Sequence, residues 1–221
     1  MVVAIDGPAG AGKSTVAKKV AEKIGALYLD TGAMYRAFTL YVLKNEVSLD
    51  NLTMIKHTLD NFELSITEDK VSVNGDDVTT AIREADVTAN VSYISSLGFV
   101  RKKMVELQRE MGKNKAIVVE GRDIGTVVFP DTPYKFYLDA DIEERAKRRL
   151  NDEKIQKNVK NILQIKQTIK NRDIYDSSRT ISPLKKADDA VYIDSTDKTV
   201  EEVCTFIINS IHEKTARSSW T

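Results

Sequence analysis

The chain has 221 residues, of which 42% are hydrophobic and 30% are charged, as is usual for a folded domain of moderate size. Its 33 basic and 33 acidic residues cancel, so no overall positive field favours a nucleic-acid polymer as partner. No apolar stretch reaches 18 residues, and we expect neither a transmembrane helix nor a signal peptide. The single cysteine, Cys204, excludes an intrachain disulfide, and we expect it in the core of a cytoplasmic protein.

The chain begins with a strand, a glycine-rich turn and a helix. Residues 2–5 are an apolar run typical of a buried strand, and residues 16–24 have apolar side chains at helical spacing. Between them, residues 7–14 fit the phosphate-loop (P-loop) pattern of Gly, four residues, Gly-Lys-Ser or Thr. Glycines let backbone amides point at phosphates, and the helix start adds partial positive charge. The alternative, a glycine-rich turn that binds nothing, is disfavoured by this context.

This loop predicts an ATP site that includes Mg²⁺. Lys13 can reach the terminal phosphates of the nucleotide. The Ser14 hydroxyl can ligate Mg²⁺ together with the phosphates of ATP. The predicted ATP-binding residues are Gly7, Pro8, Ala9, Gly10, Ala11, Gly12, Lys13, Ser14 and Thr15.

Strand-like and helix-like segments alternate after the first helix. Residues 26–29 predict a short strand, and a helix follows over about 33–44. Residues 62–78 alternate apolar and polar side chains around an Asn-Gly turn signal, which predicts small antiparallel strands. Helical patterns then run from 81 to 111, with a break expected at Gly98.

Three more apolar runs complete the predicted sheet. Residues 116–119, 134–138 and 190–193 are strand-like, whereas 142–150 and 155–175 are helical and heavily charged. Five short strands separated by helices predict an α/β fold in which helices cover both faces of a parallel sheet. Ligands bind such sheets beyond the carboxyl ends of the strands.

Arginines follow two of these strand ends. Arg36 comes after the second strand and Arg122 after the third, and both strands are expected to flank the phosphate loop. Each arginine alone could be a solvated or salt-bridged surface residue. A planar, permanently charged fork at each position also suits a phosphate group. We therefore expect a second phosphate-binding site at this edge of the sheet.

Three segments resemble the signature segments of bacterial cytidylate kinase, a family of nucleoside monophosphate kinases. They are residues 30–36, 120–130 and 172–179, in the order that the family has them. The resemblance extends over about residues 2–211 and so covers nearly the whole chain. Position 31 is Thr where some relatives have Ser, and both residues offer a hydroxyl.

The resemblance implies a P-loop NTPase core, a monophosphate-binding domain with an extra small antiparallel sheet, and a helical lid over the phosphates. The implied boundaries are 1–36, 81–149 and 177–214 for the core, 37–96 for the monophosphate-binding domain with inserted strands at 62–78, 150–170 for the lid and 215–221 for the tail. The charged segment 150–160 has few apolar anchors, so we expect it to be the moving part of the lid, the alternative being an ordinary surface loop.

The resemblance implies transfer of the γ-phosphoryl group of ATP to CMP or dCMP. We also expect a monomer that binds no membrane. The acceptor is an anionic phosphate oxygen, so no general base is needed, and His57 and His212 are expected on the surface. Catalysis then consists of bringing two polyanionic substrates together and neutralising negative charge in the transition state. The implied catalytic residues are Lys13, Arg36, Arg122 and Arg179, with lid arginines among Arg145, Arg148 and Arg149. The alternative for each lid arginine is a solvated helix face paired with Glu143 and Glu144.

Cytosine recognition requires a carboxylate for the 4-amino donor and a guanidinium for the ring nitrogen and carbonyl acceptors. The resemblance gives the first role to Asp123 and the second to Arg101. UMP has an acceptor in place of the donor and should be a poor substrate, because an unpaired buried polar group costs about 1–3 kcal/mol. The implied CMP-binding residues are Thr31, Tyr35, Arg36, Ser92, Arg101, Arg122, Asp123, Arg172, Asp176 and Arg179, with Arg172 and Asp176 at the sugar.

Other functions are compatible with the phosphate loop. Another small-molecule P-loop kinase, such as adenylate or shikimate kinase, is disfavoured by the inserted strands and by Gly-Arg-Asp at 121–123. A P-loop GTPase is disfavoured because the sequence has no Asn-Lys-x-Asp motif. A non-catalytic nucleotide-sensing module would bind ATP without turning it over.

Overall fold

The computed structural model describes residues 1–67, 69–151 and 161–218. The chain divides into two compact units, the first of Met1–Tyr28 with Asn114–Thr221 and the second of Leu29–Lys113. From residue 152 onward, the expected moving segment 150–160 lies outside the described residues, and so does the end of the expected tail. The domain division implied by the resemblance stays a prediction.

The first unit is built on a parallel sheet. Its strands, numbered in chain order, are β1 (Val2–Asp6), β2 (Leu27–Asp30), β6 (Ile117–Gly121), β7 (Tyr134–Asp139) and β8 (Val191–Asp194). The spatial order is β2-β6-β1-β7-β8. Strand β1 pairs in parallel with both β6 and β7, and β7 pairs in parallel with β8. The five-stranded sheet that the apolar runs predict is confirmed.

Four described helices belong to the same unit. They are α1 (Lys13–Ile24), α6 (Ile142–Asn151), α7 (Ile162–Ser177) and α8 (Val200–Ser218). Val16 and Val20, four residues apart on α1, join Val203 and Ile207, four apart on α8, in the core. None of the helices within the described ranges is both long and apolar enough to span a membrane.

Cys204 lies in this core, as its apolar neighbours in the sequence predict. Its side chain is fully buried on α8, with Sγ 3.7 Å from the carbonyl oxygen of Val16 on α1. Burial raises the pKa of the thiol. The thiol therefore packs as a small apolar group between two helices.

The second unit combines helices with a small sheet. Its helices are α2 (Thr31–Lys44), α3 (Leu52–Asp60), α4 (Ala85–Ile94) and α5 (Gly98–Gly112), with a 3₁₀ helix at Ala81–Arg83. Its strands are β3 (Leu64–Ile66), β4 (Val71–Val73) and β5 (Asp76–Asp77), which pair antiparallel in that order. The small inserted sheet and the break before α5 are confirmed.

The turn between β4 and β5 follows from its two residues. Asn74 and Gly75 have φ angles of 50° and 90°, the left-handed conformations that a two-residue hairpin of this type requires. Beside the sheet, Phe62 meets Phe38 of α2 edge to face, with ring centroids 5.1 Å apart. Phe38 is fully buried, so this pair belongs to the core of the second unit.

Candidate functional site

The phosphate loop, residues 7–14, joins the carboxyl end of β1 to α1. Gly12 precedes α1 with φ at 89°, a left-handed conformation that is strained for residues with a side chain. As a glycine, it also places no side chain over the first amides of the helix. A Cβ on Gly7 would lie only 1.9 Å from the carbonyl oxygen of Leu138. The glycines therefore permit both a close approach to β7 and an open helix N-terminus. Such an N-terminus is suited to binding an anion.

Lys13 is buried at the start of α1. Its Nζ donates to the carbonyl oxygen of Pro8 at 2.7 Å. Burial lowers the pKa of Lys13 to about 7, and the positive charges of Arg122 and Arg172 act in the same direction. A phosphate chain would favour the protonated amine, because an opposite charge raises the pKa of a lysine. Lys13 is thus placed to gain positive charge when an anion arrives.

Asp6, the last residue of β1, holds the turn that follows β6. Ile124 and Gly125 each donate a backbone N–H to its carboxylate at 2.8 Å, at the start of a π-helical turn. Burial raises the pKa of Asp6 to about 7 against these two hydrogen bonds, and the charge of Asp123 also raises it. The sequence analysis missed Asp6, although its place at a strand end was the signal used for other candidates.

Three arginines converge on Asp176 in α7. Arg122 Nε donates to Oδ2 at 2.9 Å, and Arg179 Nη2 donates to Oδ1. Arg172 lies one turn earlier, with Nε 3.9 Å from Oδ2, as the i, i+4 spacing predicts. Burial by itself raises the pKa of Asp176, but the three guanidinium charges outweigh it and hold the pKa below its usual value. Asp176 is therefore an ionised residue that fixes three arginines, a role that the sequence analysis did not foresee.

We call Arg122, Arg172, Asp176 and Arg179 the Asp176 cluster. Two of its arginines act electrostatically on Lys13, which connects the cluster to the phosphate loop. Asp123 is buried and acts on Asp6, on which Lys13 also acts. The structure thus brings the predicted residues of the first unit into one region. They are Lys13, Arg122, Asp123, Arg172, Asp176 and Arg179.

Two of the expected lid arginines contact the phosphate loop from α6. Arg145 Nη1 donates to the carbonyl oxygen of Ala9 at 3.1 Å, and Arg148 Nη1 donates to that of Ala11 at 3.3 Å. Arg148 also pairs with Glu144 at 3.0 Å, one of the two partners considered for this helix face. Closure of these arginines over a transferring group stays a prediction.

The predicted residues of the second unit lie on α2, α4 and α5. The Asp30 side chain accepts the N–H of Ala33 at 2.9 Å and caps α2, which sets the first turns of that helix. Thr31 and Tyr35 are buried there, and Arg36 is half-buried.

Arg101 is 3% exposed although it carries a permanent charge. Its guanidinium carbon lies 5.3 Å from the centroid of the Tyr35 ring, and its Nη1 donates to the carbonyl oxygen of Ser95 at 3.1 Å. Ser92 is half-buried at the end of α4, and its carbonyl oxygen accepts from Ser95 Oγ at 3.1 Å. The structure therefore brings Tyr35 and Arg101 together within the second unit.

The described residues offer Mg²⁺ a hydroxyl but no carboxylate cage. Among them, no group of three or more His, Cys, Asp or Glu side chains could hold a metal ion. Ser14 is exposed in the first turn of α1, beside the open helix amides. Since Mg²⁺ is usually bound by one or two protein groups together with substrate phosphates, this environment fits the ion. His57 and His212 are exposed, as expected.

Comparisons with known proteins identify similar chains. The family model described as Cytidylate kinase matches residues 3–213. The cytidylate kinase of Fusobacterium nucleatum is 47% identical over 214 residues, which cover 96% of this chain and 98% of that protein. The cytidylate kinase of Lactobacillus johnsonii is 48% identical over 218 residues, which cover 97% and 95%.

Solved structures also show the same architecture. A crystal structure of an uncharacterized protein from Eubacterium ventriosum aligns with a TM-score of 0.52 and 15% sequence identity. The alignment covers 96% of this chain and 98% of that one. At this identity the likeness concerns architecture alone.

Proposed function

The chain belongs to the cytidylate kinase family, and we propose that it transfers the γ-phosphoryl group of ATP to CMP or dCMP, yielding ADP and CDP or dCDP. The observation that carries this proposal within the structure is the joint placement of a phosphate loop, a buried lysine and three arginines in the first unit. Such a concentration of cations and open amides suits two phosphate-bearing substrates.

ATP binds with its phosphates at the phosphate loop. The amides at the start of α1 donate hydrogen bonds to the phosphate oxygens, and Lys13 pairs with the negative charge of the terminal phosphate. Because burial has lowered the pKa of Lys13, its protonation accompanies nucleotide binding at pH values above about 7. Lys13 therefore becomes more positively charged as ATP binds.

Ser14 would hold Mg²⁺ together with the phosphates of ATP. When bound, the ion supplies positive charge that neutralises the phosphate oxygens during transfer. Ser14 would contribute its hydroxyl as a ligand of the ion, and the backbone of the phosphate loop orients the nucleotide.

The monophosphate of CMP binds at the Asp176 cluster and Arg36. An acceptor phosphate oxygen attacks the γ-phosphorus, the bond between that phosphorus and the bridging oxygen breaks, and the electron pair leaves with ADP. No proton has to be removed from the acceptor, since it is already an anion. Arg122 and Arg179 are catalytic because they neutralise charge on the reacting groups, and Asp176 keeps them oriented before the substrate binds.

Asp123 accepts from the 4-amino group of cytosine, and Arg101 donates to the ring nitrogen and carbonyl. Ser92 and Thr31 add hydroxyl contacts, and Asp176 with Arg172 meets the sugar. The cation–π contact of Arg101 with Tyr35 and its hydrogen bond to a backbone carbonyl support this role, because they hold the guanidinium in place. The protein acts as a monomer in the cytoplasm, where both nucleotides occur.

A coupled ADP-release assay tests the proposal. ATP is supplied with CMP, dCMP, UMP, AMP, shikimate or no acceptor, and we expect rapid ADP release with CMP and dCMP only. Faster release with AMP or shikimate would assign a different small-molecule kinase. ATP binding without release under any condition would favour a nucleotide-sensing module. Omission of Mg²⁺ in the CMP reaction should abolish turnover.

A further inference from the structure

Ala9 of the phosphate loop is held at both of its backbone polar groups by side chains from two helices. Its N–H donates to Asp173 Oδ1 of α7 at 3.0 Å, and its carbonyl oxygen accepts from Arg145 Nη1 of α6 at 3.1 Å. Arg145 Nη1 also donates to Asp173 Oδ2, so the two side chains form an ion pair around one peptide unit of the loop. Arg145 Nε in turn donates to the carbonyl oxygen of Ala140 at 2.9 Å, which fixes the guanidinium.

The surroundings of this ion pair are largely closed to water. The side chains of Arg145 and Asp173 are 12% and 18% exposed, so their mutual attraction is screened less than on an open surface. The methyl group of Ala9 belongs to an apolar cluster with Ala146 of α6 and with two isoleucines of α7, Ile165 and Ile169. Both the apolar and the polar contacts of Ala9 thus attach the loop to the same pair of helices.

Gly10 explains how closely α6 approaches the loop. A Cβ at this position would lie 3.1 Å from the carbonyl oxygen of Arg145 and 3.2 Å from its Cβ. A side chain at residue 10 would therefore push α6 away by a few tenths of an ångström, and the φ of 78° also disfavours one. A small displacement of α6 would consequently move the peptide units of the loop.

We propose that Arg145 and Asp173 are positioning residues that hold the phosphate loop in its ATP-binding shape before the nucleotide arrives. An anion-binding loop needs its carbonyl oxygens turned away from the phosphates, and Arg145 retains the Ala9 carbonyl on the α6 side. Preorganisation reduces the ordering that binding must otherwise supply. The inference rests on the proposed function only for the identity of ATP as the ligand of this loop.

The same geometry has a competing interpretation. The Asp173 carboxylate accepts an amide N–H of a loop built for phosphate, so it could occupy a place that a phosphate oxygen takes. Under that interpretation, removal of Asp173 strengthens ATP binding. Under ours, removal weakens it, so the sign of one measurement separates the two.

The test measures ATP affinity by isothermal titration calorimetry and the KM values for ATP and CMP by ADP release. Asp173→Ala should weaken ATP binding by about tenfold, the change that corresponds to losing a hydrogen bond to a charged group. The KM for ATP should rise in parallel, and the KM for CMP should stay at the wild-type value. Asp173→Asn, which can still accept from Ala9 but offers Arg145 no charge, should be intermediate.

The chain offers a matched control in Lys166 and Glu143. They form another ion pair between α7 and α6, and neither makes a hydrogen bond with the phosphate loop in the described part of the chain. Lys166→Gln should therefore leave ATP affinity unchanged. Arg145→Lys keeps the charge but not the fork that serves Ala9, Ala140 and Asp173 together, so it should weaken ATP binding.

The inference is overturned if ATP binding to Asp173→Ala is unchanged or tighter, if both KM values rise equally, or if Lys166→Gln has the same effect. Circular dichroism melts accompany each variant, and if Asp173→Ala unfolds, the milder Asp173→Asn decides by the same criteria. A wild-type protein that releases no ADP with CMP would refute the proposed function. Calorimetry with ATP would still decide the role of Arg145 and Asp173, since it needs no turnover.

Discussion

Two buried carboxylates of the first unit, Asp6 and Asp176, have opposite electrostatic environments. Asp6 is 4% exposed and accepts two backbone amides, and burial raises its pKa to about 7. Asp176 is 1% exposed and is surrounded by three arginines, which hold its pKa below the usual value. Similar burial thus yields a group that titrates near neutrality at one place and a group with a lowered pKa at the other. The difference lies in the partners, which are neutral dipoles in one case and full charges in the other.

The largest effect is expected from removal of Lys13, whose charge acts on Asp6. Lys13→Ala should lower kcat by at least about 100-fold, because a charge that stabilises the transferring phosphoryl group is lost. The change should also raise the pKa of Asp6 further, since the Lys13 charge lowers it in the wild type. Lys19→Ala, on the exposed side of the same helix, is the control and should retain activity. Near-normal turnover of a folded Lys13→Ala variant would contradict this prediction.

Asp176→Asn removes the charge that balances three arginines. We expect a loss of about 3–5 kcal/mol in the free energy of unfolding, the range for breaking a buried ion pair from one side. The KM for CMP should rise while the KM for ATP stays nearly unchanged. Urea denaturation and initial-rate kinetics measure these effects. Glu201→Gln is the control, because its exposed pairs with Lys19 and Lys23 should contribute little.

The pH dependence of the Asp176 variant provides a second measurement. A carboxyl group with a lowered pKa stabilises the fold above its unfolded pKa, and this stabilisation disappears as the pH falls through the folded pKa. The wild-type advantage over Asp176→Asn should therefore be full above the ordinary value of 3.8 and should vanish in stronger acid. An advantage that persists unchanged into strong acid would show that Asp176 is not ionised in the folded protein.

Asp123→Ala should act on both substrate choice and Asp6. We expect the preference for CMP over UMP to fall by about 1–3 kcal/mol. In the wild type, UMP leaves the Asp123 carboxylate without a hydrogen-bond partner at this cost, and the variant has no carboxylate there. The pKa of Asp6 should fall, because the Asp123 charge raises it. Specificity ratios from kcat/KM measure the first effect. Asp131→Ala, at an exposed position nearby, should change neither, and an unaltered ratio in Asp123→Ala would exclude Asp123 as the base-reading group.

The last effect, on stability and not on activity, is expected from Asp6→Asn. A carboxyl group with a raised pKa retains its proton in the folded state after the unfolded chain has lost it, so rising pH destabilises the wild type between 3.8 and about 7. The stability of Asp6→Asn relative to wild type should increase over this interval by at most about 1.4 kcal/mol per pH unit. Denaturant titrations across this pH range measure it, and parallel stability curves for the two proteins would refute the assignment.

Local patterns predicted the architecture well. The apolar runs predicted the five strands, and the Asn-Gly signal predicted a hairpin that forms at Asn74 and Gly75. These features depend on residues close together in the sequence, so periodicity and turn preferences determine them. The glycine spacing of the phosphate loop belongs to the same class.

The contacts that organise the candidate site could be predicted only in part. The pairing of Asp176 with Arg172 follows from helical spacing, and Arg179 is three residues further along the chain. Arg122, by contrast, lies 54 residues away and reaches Asp176 through the fold. The carboxylate of Asp6 meets a backbone amide 118 residues further along the chain. Asp173 meets Ala9 across 164 residues. No local pattern encodes these pairs, because they depend on how strands and helices are arranged in space.

Because Cys204 is buried against α1, the reactivity of its thiol reports on the packing of the helix that follows the phosphate loop. Because Sγ faces the carbonyl oxygen of Val16 on α1, a thiol reagent gains access only when α8 separates from α1. The sequence contains one cysteine, so every labelling event reports on this one junction. Nucleotides that bind at the start of α1 and stabilise the folded state should slow the labelling. The rate of thiol modification thereby offers a titration of nucleotide occupancy without any engineered probe.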